Sequence, residues 1–519
     1  MKIKLVLSTF AILTIFSTVS AQTTFQSVIG AWGISMSNAS QITYDKGYIM
    51  AGGGLVKTDS IGNLEWIKCY NGTFYAVQQT PTNGYIAAGI TNKSGAGGHD
   101  IYLVKTDSKG DTLWTKTYGG TSNELAYSIQ VTQDSGYVIA GFTESFGAGL
   151  SDVYIIRTNS NGDILWTRTI GNNDYECGNA IIKTSDGNFA ITGYTKVDVV
   201  DRDVILIKLN QNGDTLWTRT YGDFNNENGM DVIQTSDGGY AITGLTVSFA
   251  VGGQADVYFI KTDSLGNCEW SKTYGSNYVD EGYIIRQTAD DGYIIAGRMQ
   301  SYDGGGGSCI PFGACYDVYL IRTDEVGDTL WTRMYGGGDI DWAYSLEITA
   351  DNGFIITGQS DSFGGRAYLI KTDEFGNNPC NQFNTNTIVG NPTTQSSSGF
   401  QLSSGGIAKS ANGTVTIPYN IEDSILCTTV GLSETSIVLN EFNIYPNPFD
   451  DYTTLTFDNP SNKICTLIIY DAQGRIVQTI SDIKSEQVII KRQQLMSGLY
   501  FFQVRAGSQL IASGKLAIE

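Results

Sequence analysis

The chain has 519 residues, with 32 lysines and arginines against 52 aspartates and glutamates, and therefore a net charge of −20 at neutral pH. A surface this acidic repels phosphate backbones, which excludes nucleic acid as a partner. His99 is the only histidine, so two-histidine zinc sites are excluded and a Ser-His-Asp triad could use only that residue.

The first predicted element is a secretory signal peptide over residues 1–21. Two lysines precede an apolar run from Leu5 to Phe16, and small residues lead to an expected cleavage site after Ala21. The run is shorter than the roughly 18 residues that a membrane-spanning helix needs, and no later segment is apolar enough to cross a bilayer. We therefore expect an exported chain with no transmembrane segment after signal removal, in a compartment where disulfides persist.

Residues 22–380 contain an internal repeat whose period is about 50 residues. A basic position of the repeat occurs seven times, at Lys57, Lys105, Arg157, Lys208, Lys261, Arg322 and Lys371. Each copy reads as four short alternating strands joined by Asp-Gly and Asn-Gly turns, where glycine supplies the positive φ that hairpins need. Four strands per repeat predict an all-β fold, a seven-bladed β-propeller. The repeated tryptophan and tyrosine positions are interpreted as packing between neighbouring blades.

The two ends of the repeat region complement each other. The seventh copy stops near Cys380 without a fourth strand, and Phe25–Gly30 matches the pattern of the fourth strand at Trp166–Gly171. The N-terminal strand is therefore expected to complete the last blade and close the ring, which removes two exposed strand edges. A solenoid is the alternative architecture, but its ends would not need to match.

Acidic residues recur at two positions of the repeat. One set follows the end of the fourth strand, at Glu124, Glu176, Glu227, Asp280 and Asp341. The other set stands five residues before the basic position, at Asp100, Asp152, Asp203, Asp256 and Asp317. Both sets begin strands on the same side of the blades, so we expect a double ring of carboxylates around one mouth of the central channel.

Three interpretations of these acids remain open. Each acid could accept backbone N–H bonds and fix neighbouring blades, which its repetition favours. The ring could bind Ca²⁺ as a cofactor, or a cationic or sugar ligand. Two acids could act as a catalytic pair, as in glycoside hydrolysis, although near-symmetry argues against an enzyme. The favoured function is a binding or structural module for a glycan or protein ligand, and the alternative is a polysaccharide-active hydrolase or lyase.

Residues 381–441 are rich in Ser, Thr and Asn, which predicts a flexible linker. Cys380 and Cys427 bracket most of it and could pair. Cys309 and Cys315 could form a local bridge within the sixth repeat.

Residues 442–519 change character again and read as a small Ig-like β-sandwich of short strands. They resemble the type A C-terminal sorting domain of the type IX secretion system. The matching motif residues are Tyr445, Pro446, Asn447, Pro448, Gly474, Gly498 and Tyr500. The resemblance implies a Bacteroidota-type cell, the type IX secretion machinery and its sortase-like protease as partners, and a cargo that is released or attached to the cell surface.

Overall fold

The computed structural model is all-β and forms two compact units, Met1–Gly431 and Leu432–Glu519. The structure describes residues 21–30, 36–198, 201–301, 315–378, 380, 382–383, 385, 387–392, 394–397, 401–403, 407–410, 422–432, 442–457, 463–470, 476–493, 495–506 and 509–518. The predicted signal peptide up to residue 20, Cys309 and Gly474 lie outside these residues. In the described part of the chain, no helix is long and apolar enough to cross a membrane.

The first unit contains seven four-stranded antiparallel repeat sheets among the described residues, which confirms the repeat predicted from the sequence. The first sheet consists of Ser37–Ile42, Tyr48–Gly52, Gly54–Thr58 and Leu64–Cys69, and the second of Thr73–Gln79, Tyr85–Thr91, Asp100–Thr106 and Thr112–Gly119. The third consists of Glu124–Val131, Tyr137–Thr143, Asp152–Thr158 and Ile164–Gly171, and the fourth of Glu176–Lys183, Phe189–Asp198, Asp201–Leu209 and Thr215–Gly222. The fifth consists of Glu227–Gln234, Tyr240–Thr246, Asp256–Thr262 and Cys268–Gly275, with a short 3-10 turn at Val251–Gly253, and the sixth of Asp280–Gln287, Tyr293–Ser301, Cys315–Thr323 and Thr329–Tyr335.

The seventh sheet takes its fourth strand from the N-terminus. Asp341–Ile348, Phe354–Ser360 and Arg366–Thr372 are followed in this sheet by Ala21–Gly30. Phe25 faces Lys371 across the strand pair, and Ile29 faces Ala367.

The first and seventh sheets also contact each other. Ser37 Oγ lies 3.2 Å from Thr357 Oγ1, and the backbone N–H of Ser40 donates to Ser345 Oγ over 3.0 Å. We interpret these contacts as the closure of a seven-bladed ring.

Neighbouring sheets are fixed together by buried tyrosines at the ends of the fourth strands. The hydroxyl of Tyr118 donates to the carbonyl of Gly162 in the next sheet over 2.7 Å, and that of Tyr274 donates to Gly327 over 2.6 Å. Both tyrosines are fully buried, so each phenol needs this acceptor. Gly162 has a φ of 77°, which suits glycine in the turn.

The predicted flexible linker at residues 381–441 is wrong where the described part of this segment forms strands. Short strands of this segment, which we call the belt, pair with the fourth strands of successive sheets in descending order. Gln382–Phe383 pairs with the sixth sheet, Ile388–Gly390 with the fifth, Gln395–Ser397 with the fourth, Gln401–Ser403 with the third, Ile407–Ser410 with the second, and Glu422–Leu432 with the seventh. Backbone groups of an exposed strand edge attract any extended chain, whatever its side chains. The polar composition of the belt therefore did not prevent its strands from pairing with the edges of the repeat sheets.

A disulfide joins Cys380 and Cys427, at the beginning and end of the belt. Cys315 is also disulfide-bonded. Four further cysteines, Cys69, Cys177, Cys268 and Cys465, are free thiols.

The second unit is a two-sheet β-sandwich. One sheet consists of Phe442–Tyr445, Tyr452–Phe457 and Gln487–Lys491, and the other of Ile476–Ile483, Cys465–Tyr470, Gly498–Ala506 and Gln509–Ile518. Its core contains Leu455, Leu467, Phe502 and Leu516, all almost fully buried.

Candidate functional site

The ten repeated acids are mostly buried, and their arrangement as a double ring around one mouth of the channel stays a prediction. Nine of them are at most 2% exposed, and only Asp203 is half-buried. Glu124 shows the common arrangement, because it accepts the backbone N–H of Gly120 over 2.7 Å and the hydroxyl of Thr143 over 2.7 Å. Corresponding backbone bonds reach Glu176, Glu227, Asp280, Asp341, Asp100, Asp152 and Asp256. The bonds support the interpretation that the acids fix the loops between sheets.

Acids of the two sets meet in pairs around a glycine. A Cβ atom on Gly119 would lie 2.2 Å from Asp100 Oδ1 and 2.3 Å from Glu124 Oε2, so only glycine fits between them. The same arrangement recurs at Gly171, Gly222, Gly275 and Gly336, where the last involves Asp317 and Asp341. Burial raises the pKa of Asp256 to about 6, and burial together with the nearby Asp256 charge raises the pKa of Asp280 to about 7.

One pair has a third carboxylate beside it. Asp201, Asp203 and Glu227 hold carboxylate oxygens within 4.8 Å of one another. Burial, with repulsion from Asp201 and Glu227, raises the pKa of Asp203 to about 7. Glu227 already accepts bonds from Thr246, from the backbone N–H of Ser248 and from that of Asp223, so few of its lone pairs are left for a cation. The predicted Ca²⁺ site stays a prediction.

The structure reveals a different ring, formed by β-bulges that the sequence did not predict. The first strand of every repeat sheet skips one residue in its pairing with the second strand. The skipped residues are Asn38, Tyr75, Tyr127, Asn179, Met230, Tyr283 and Tyr344, which we call the bulge ring. All seven line a central cavity of about 670 Å³. Bulges re-aim side chains and are frequent beside functional sites.

Aromatic rings in this cavity are arranged in two pairs. The ring centroids of Tyr75 and Tyr127 are 5.4 Å apart, as are those of Tyr283 and Tyr344. The Tyr283 hydroxyl donates to the carboxylate of Glu281, which also pairs with Arg298 at 2.8 Å and thereby holds that ring in place. Burial raises the pKa of Tyr127 and Tyr344, so their phenols remain protonated hydrogen-bond donors at neutral pH.

Amide side chains form the next layer of the cavity. Gln41 accepts the backbone N–H of Gln79 over 2.6 Å, and Gln78 accepts that of Val131 over 2.8 Å. Each of these glutamines therefore uses its oxygen for the neighbouring sheet. Their NH₂ groups have no partner among the described residues and are available to a ligand.

One ion cluster breaks the symmetry of the cavity. Arg286 donates to Asp231 and to Glu347, each over 3.0 Å, and so links the fifth, sixth and seventh sheets. Burial raises the pKa of Asp231, while the Arg286 charge opposes that effect. No other charged side chains line the cavity among the described residues.

In the second unit, the predicted motif residues occupy an exposed loop and the adjoining strand. Tyr445 is 79% exposed, whereas Phe449 is buried. Asn447 accepts the backbone N–H of Ala517 over 2.7 Å, which ties the Tyr-Pro-Asn-Pro turn, with Pro446 and Pro448, to the final strand. Tyr500 donates its hydroxyl to Met496 over 2.9 Å. Gly498 has a φ of 150°.

Comparisons with known proteins identify the second unit. Residues 443–519 match the family model described as a secretion system C-terminal sorting domain. A search of curated proteins gave no match.

Solved structures resemble the chain only distantly. A Bacteroides caccae protein of unknown function is 11% identical, covering 48% of this chain and 93% of that one at a TM-score of 0.31. The extracellular domain of a putative hybrid two-component system from B. thetaiotaomicron is 12% identical. The match covers 92% of this chain and 77% of that one at a TM-score of 0.23. The extracellular domain of a putative one-component system from the same organism is 9% identical. That match covers 93% of this chain and 81% of the other at a TM-score of 0.19. The family match, with the motif residues above, leads to one conclusion: the chain carries a type IX secretion C-terminal sorting domain and is delivered to the cell surface or the medium.

Proposed function

We propose that the first unit is an exported saccharide-binding module whose ligand enters the central cavity. The observation that carries this proposal is the bulge ring, because seven strands each turn one side chain toward the same cavity. Four of these side chains are tyrosines, which offer flat faces to the C–H surface of a pyranose. The amides and phenols around them suit hydroxyl groups.

Charge supports a neutral ligand. The charged lining residues are two carboxylates, Asp231 and Glu347, and the one guanidinium of Arg286 that both contact, so the cluster keeps an excess negative charge that disfavours an anionic ligand. A cavity of about 670 Å³ falls in the range of small-molecule sites and is too small for a folded protein partner.

The test is a glycan array on the purified mature protein, followed by calorimetric titration of the neutral oligosaccharides that bind. Replacing Tyr127 by Ala should weaken binding by at least about tenfold, since one stacked ring contributes on the order of 1–2 kcal/mol. Tyr44→Ala is the matched control, because Tyr44 is 67% exposed and lies outside the cavity. Equal affinities for the two variants would refute the cavity as the binding site.

A second function, a polysaccharide-active hydrolase or lyase, is favoured by Asp231 and Glu347. These two carboxylates share one cavity and one arginine, which gives the asymmetric pair that a glycosidase needs. The enzyme would be established if the wild type released product from a polysaccharide and Glu347→Gln still bound the polysaccharide but released none. Binding without product release would leave the binding module as the function.

A further inference from the structure

The junctions between neighbouring sheets repeat two contacts at the end of the blades opposite the paired acids. The first is a ring contact between a fourth-strand tryptophan and an aromatic residue of the next sheet. Its centroid distances are 5.8 Å for Trp66–Tyr85, 6.0 Å for Trp114–Tyr137, 5.9 Å for Trp217–Tyr240, 6.3 Å for Trp270–Tyr293 and 6.0 Å for Trp331–Phe354. Each of these contacts fills the space between two sheets.

The second contact is a bridge from a glutamine at the end of the first strand. Gln234 accepts the backbone N–H of Ser185 in the preceding sheet over 2.7 Å, and Gln287 accepts that of Ser236 over 2.8 Å. Gln79 accepts that of Tyr44 in the same way over 2.8 Å. The glutamine therefore closes the junction beside the aromatic pair.

The junction between the third and fourth sheets lacks both contacts. Trp166 and Phe189 form no ring pair among the described residues, in contrast to the five pairs above. The glutamine position is occupied by Lys183, which cannot accept a bond from the N–H of Gln133. A groove of about 380 Å³ opens here, lined by Trp166, Phe189, Lys183 and Gln211.

The charges in this groove leave a net positive group. Arg157 also lines it, but both carboxylate oxygens of Asp134 accept bonds from its guanidinium at 2.7 Å, so this pair is internally neutralised. Lys183 forms no ion pair or hydrogen bond within the described part of the chain. Lys183 is therefore the one charge in the groove lining that is not neutralised by a neighbour among the described residues, and it favours an anionic ligand on a protein whose net charge is −20.

We propose that this groove is a second binding site, specific for an acidic saccharide such as a uronate oligomer. Trp166 contributes apolar indole surface beside Arg168, whose guanidinium lies 5.4 Å from the ring centroid. Lys183 pairs with the carboxylate of the saccharide, and Gln133 and Gln211 hydrogen-bond its hydroxyl groups. The groove shares no lining residue with the central cavity and does not depend on the function of that cavity.

The test uses trigalacturonate titrated into the mature protein at low and high salt, with maltotriose as the neutral comparison. Lys183→Gln should weaken trigalacturonate binding at least about fivefold and reduce its salt dependence. This variant introduces the glutamine that the second, fifth and sixth sheets carry at the same position, so its thermal midpoint should equal or exceed that of the wild type. Lys109→Gln is the matched control, because Lys109 is an exposed lysine of the second sheet.

Four results would overturn the proposal. Trigalacturonate could fail to bind at millimolar concentration, or it could bind equally well to Lys183→Gln. An aspartate-rich peptide could bind as tightly as trigalacturonate, which would make the groove a carboxylate site without saccharide specificity. Tyr127→Ala should leave trigalacturonate binding unchanged, and a loss in that variant would place the acidic saccharide in the central cavity instead.

Discussion

Breaking the Cys380–Cys427 disulfide should destabilise the whole first unit. The two cysteines are 47 residues apart in sequence, and the belt between them pairs with the sixth, fifth, fourth, third and second sheets before Glu422–Leu432 reaches the seventh. Because Cys380 also lies beside the seventh sheet, where its carbonyl accepts a bond from Gln26, the disulfide closes the belt into a covalent hoop around the sheets.

The magnitude follows from the length of the closed loop. Cross-linking a loop of this size removes chain entropy from the unfolded state worth about 4 kcal/mol at 25 °C. The folded belt keeps its strand pairing when the bond is broken, so most of the loss reflects the freer unfolded chain.

The assay is urea unfolding of the mature chain, comparing wild type with Cys380→Ser, Cys427→Ser and the double variant. All three variants should lose about the same free energy of unfolding, because either substitution opens the same loop. Cys69→Ser, which removes a free thiol, is the control. A protease site inserted after Ser397 adds a second route: cutting it should destabilise the oxidised protein as much as the serine variants do. Unchanged stability after both treatments would refute the hoop.

Three further predictions concern pH, ring closure and export. The folded-state pKa of Asp280 is about 7, above its ordinary value, so the free energy of unfolding should fall as pH rises from about 4 to 7. In urea unfolding at pH 5 and pH 8, Asp280→Asn should reduce the difference between the two pH values by on the order of 2 kcal/mol. Val28→Pro should cost at least about 3 kcal/mol in thermal unfolding, because Val28 is 1% exposed and pairs with Tyr368, and an unchanged midpoint would mean that the ring closes otherwise. Deleting residues 442–519 should leave the first unit folded but retained in the periplasm, and normal amounts in the medium would contradict the address function of the sorting domain.

The repeat sheets were predictable because their signal is local and redundant. Runs such as Tyr137–Thr143 and Asp152–Thr158 are buried on both faces between neighbouring sheets, so they read as short apolar segments between turns. The sorting domain was recognisable for another reason, since the residues around Asn447 make a specific turn against the last strand. Both signals depend on neighbours in sequence.

The belt and the bulge ring were missed because their causes are not local. Belt strands such as Gln401–Ser403 pair through backbone atoms with an edge more than two hundred residues away in sequence, so composition carries no trace of the pairing. A bulge inserts one residue into a strand without changing its residue types, and Tyr127 looks like any other strand tyrosine until its partner strand is known. A usable signal did exist, because the position three residues after the repeated acid varies between copies.

Variation between copies of the repeat distinguishes residues that bind a ligand from residues that pack neighbouring sheets together. The acids at positions such as Glu124 and Glu176 repeat because every junction needs the same backbone bonds, and their burial shows that repetition here means structure. A ligand is not seven-fold symmetric, so the residues that orient it must differ between copies, while the recurring tyrosines of the bulge ring offer it a common surface. Met230 in the bulge ring, Arg286 in the cavity and Lys183 in the groove each occur in only one copy at their position of the repeat, and they are positions where a ligand can be distinguished from a neighbouring sheet.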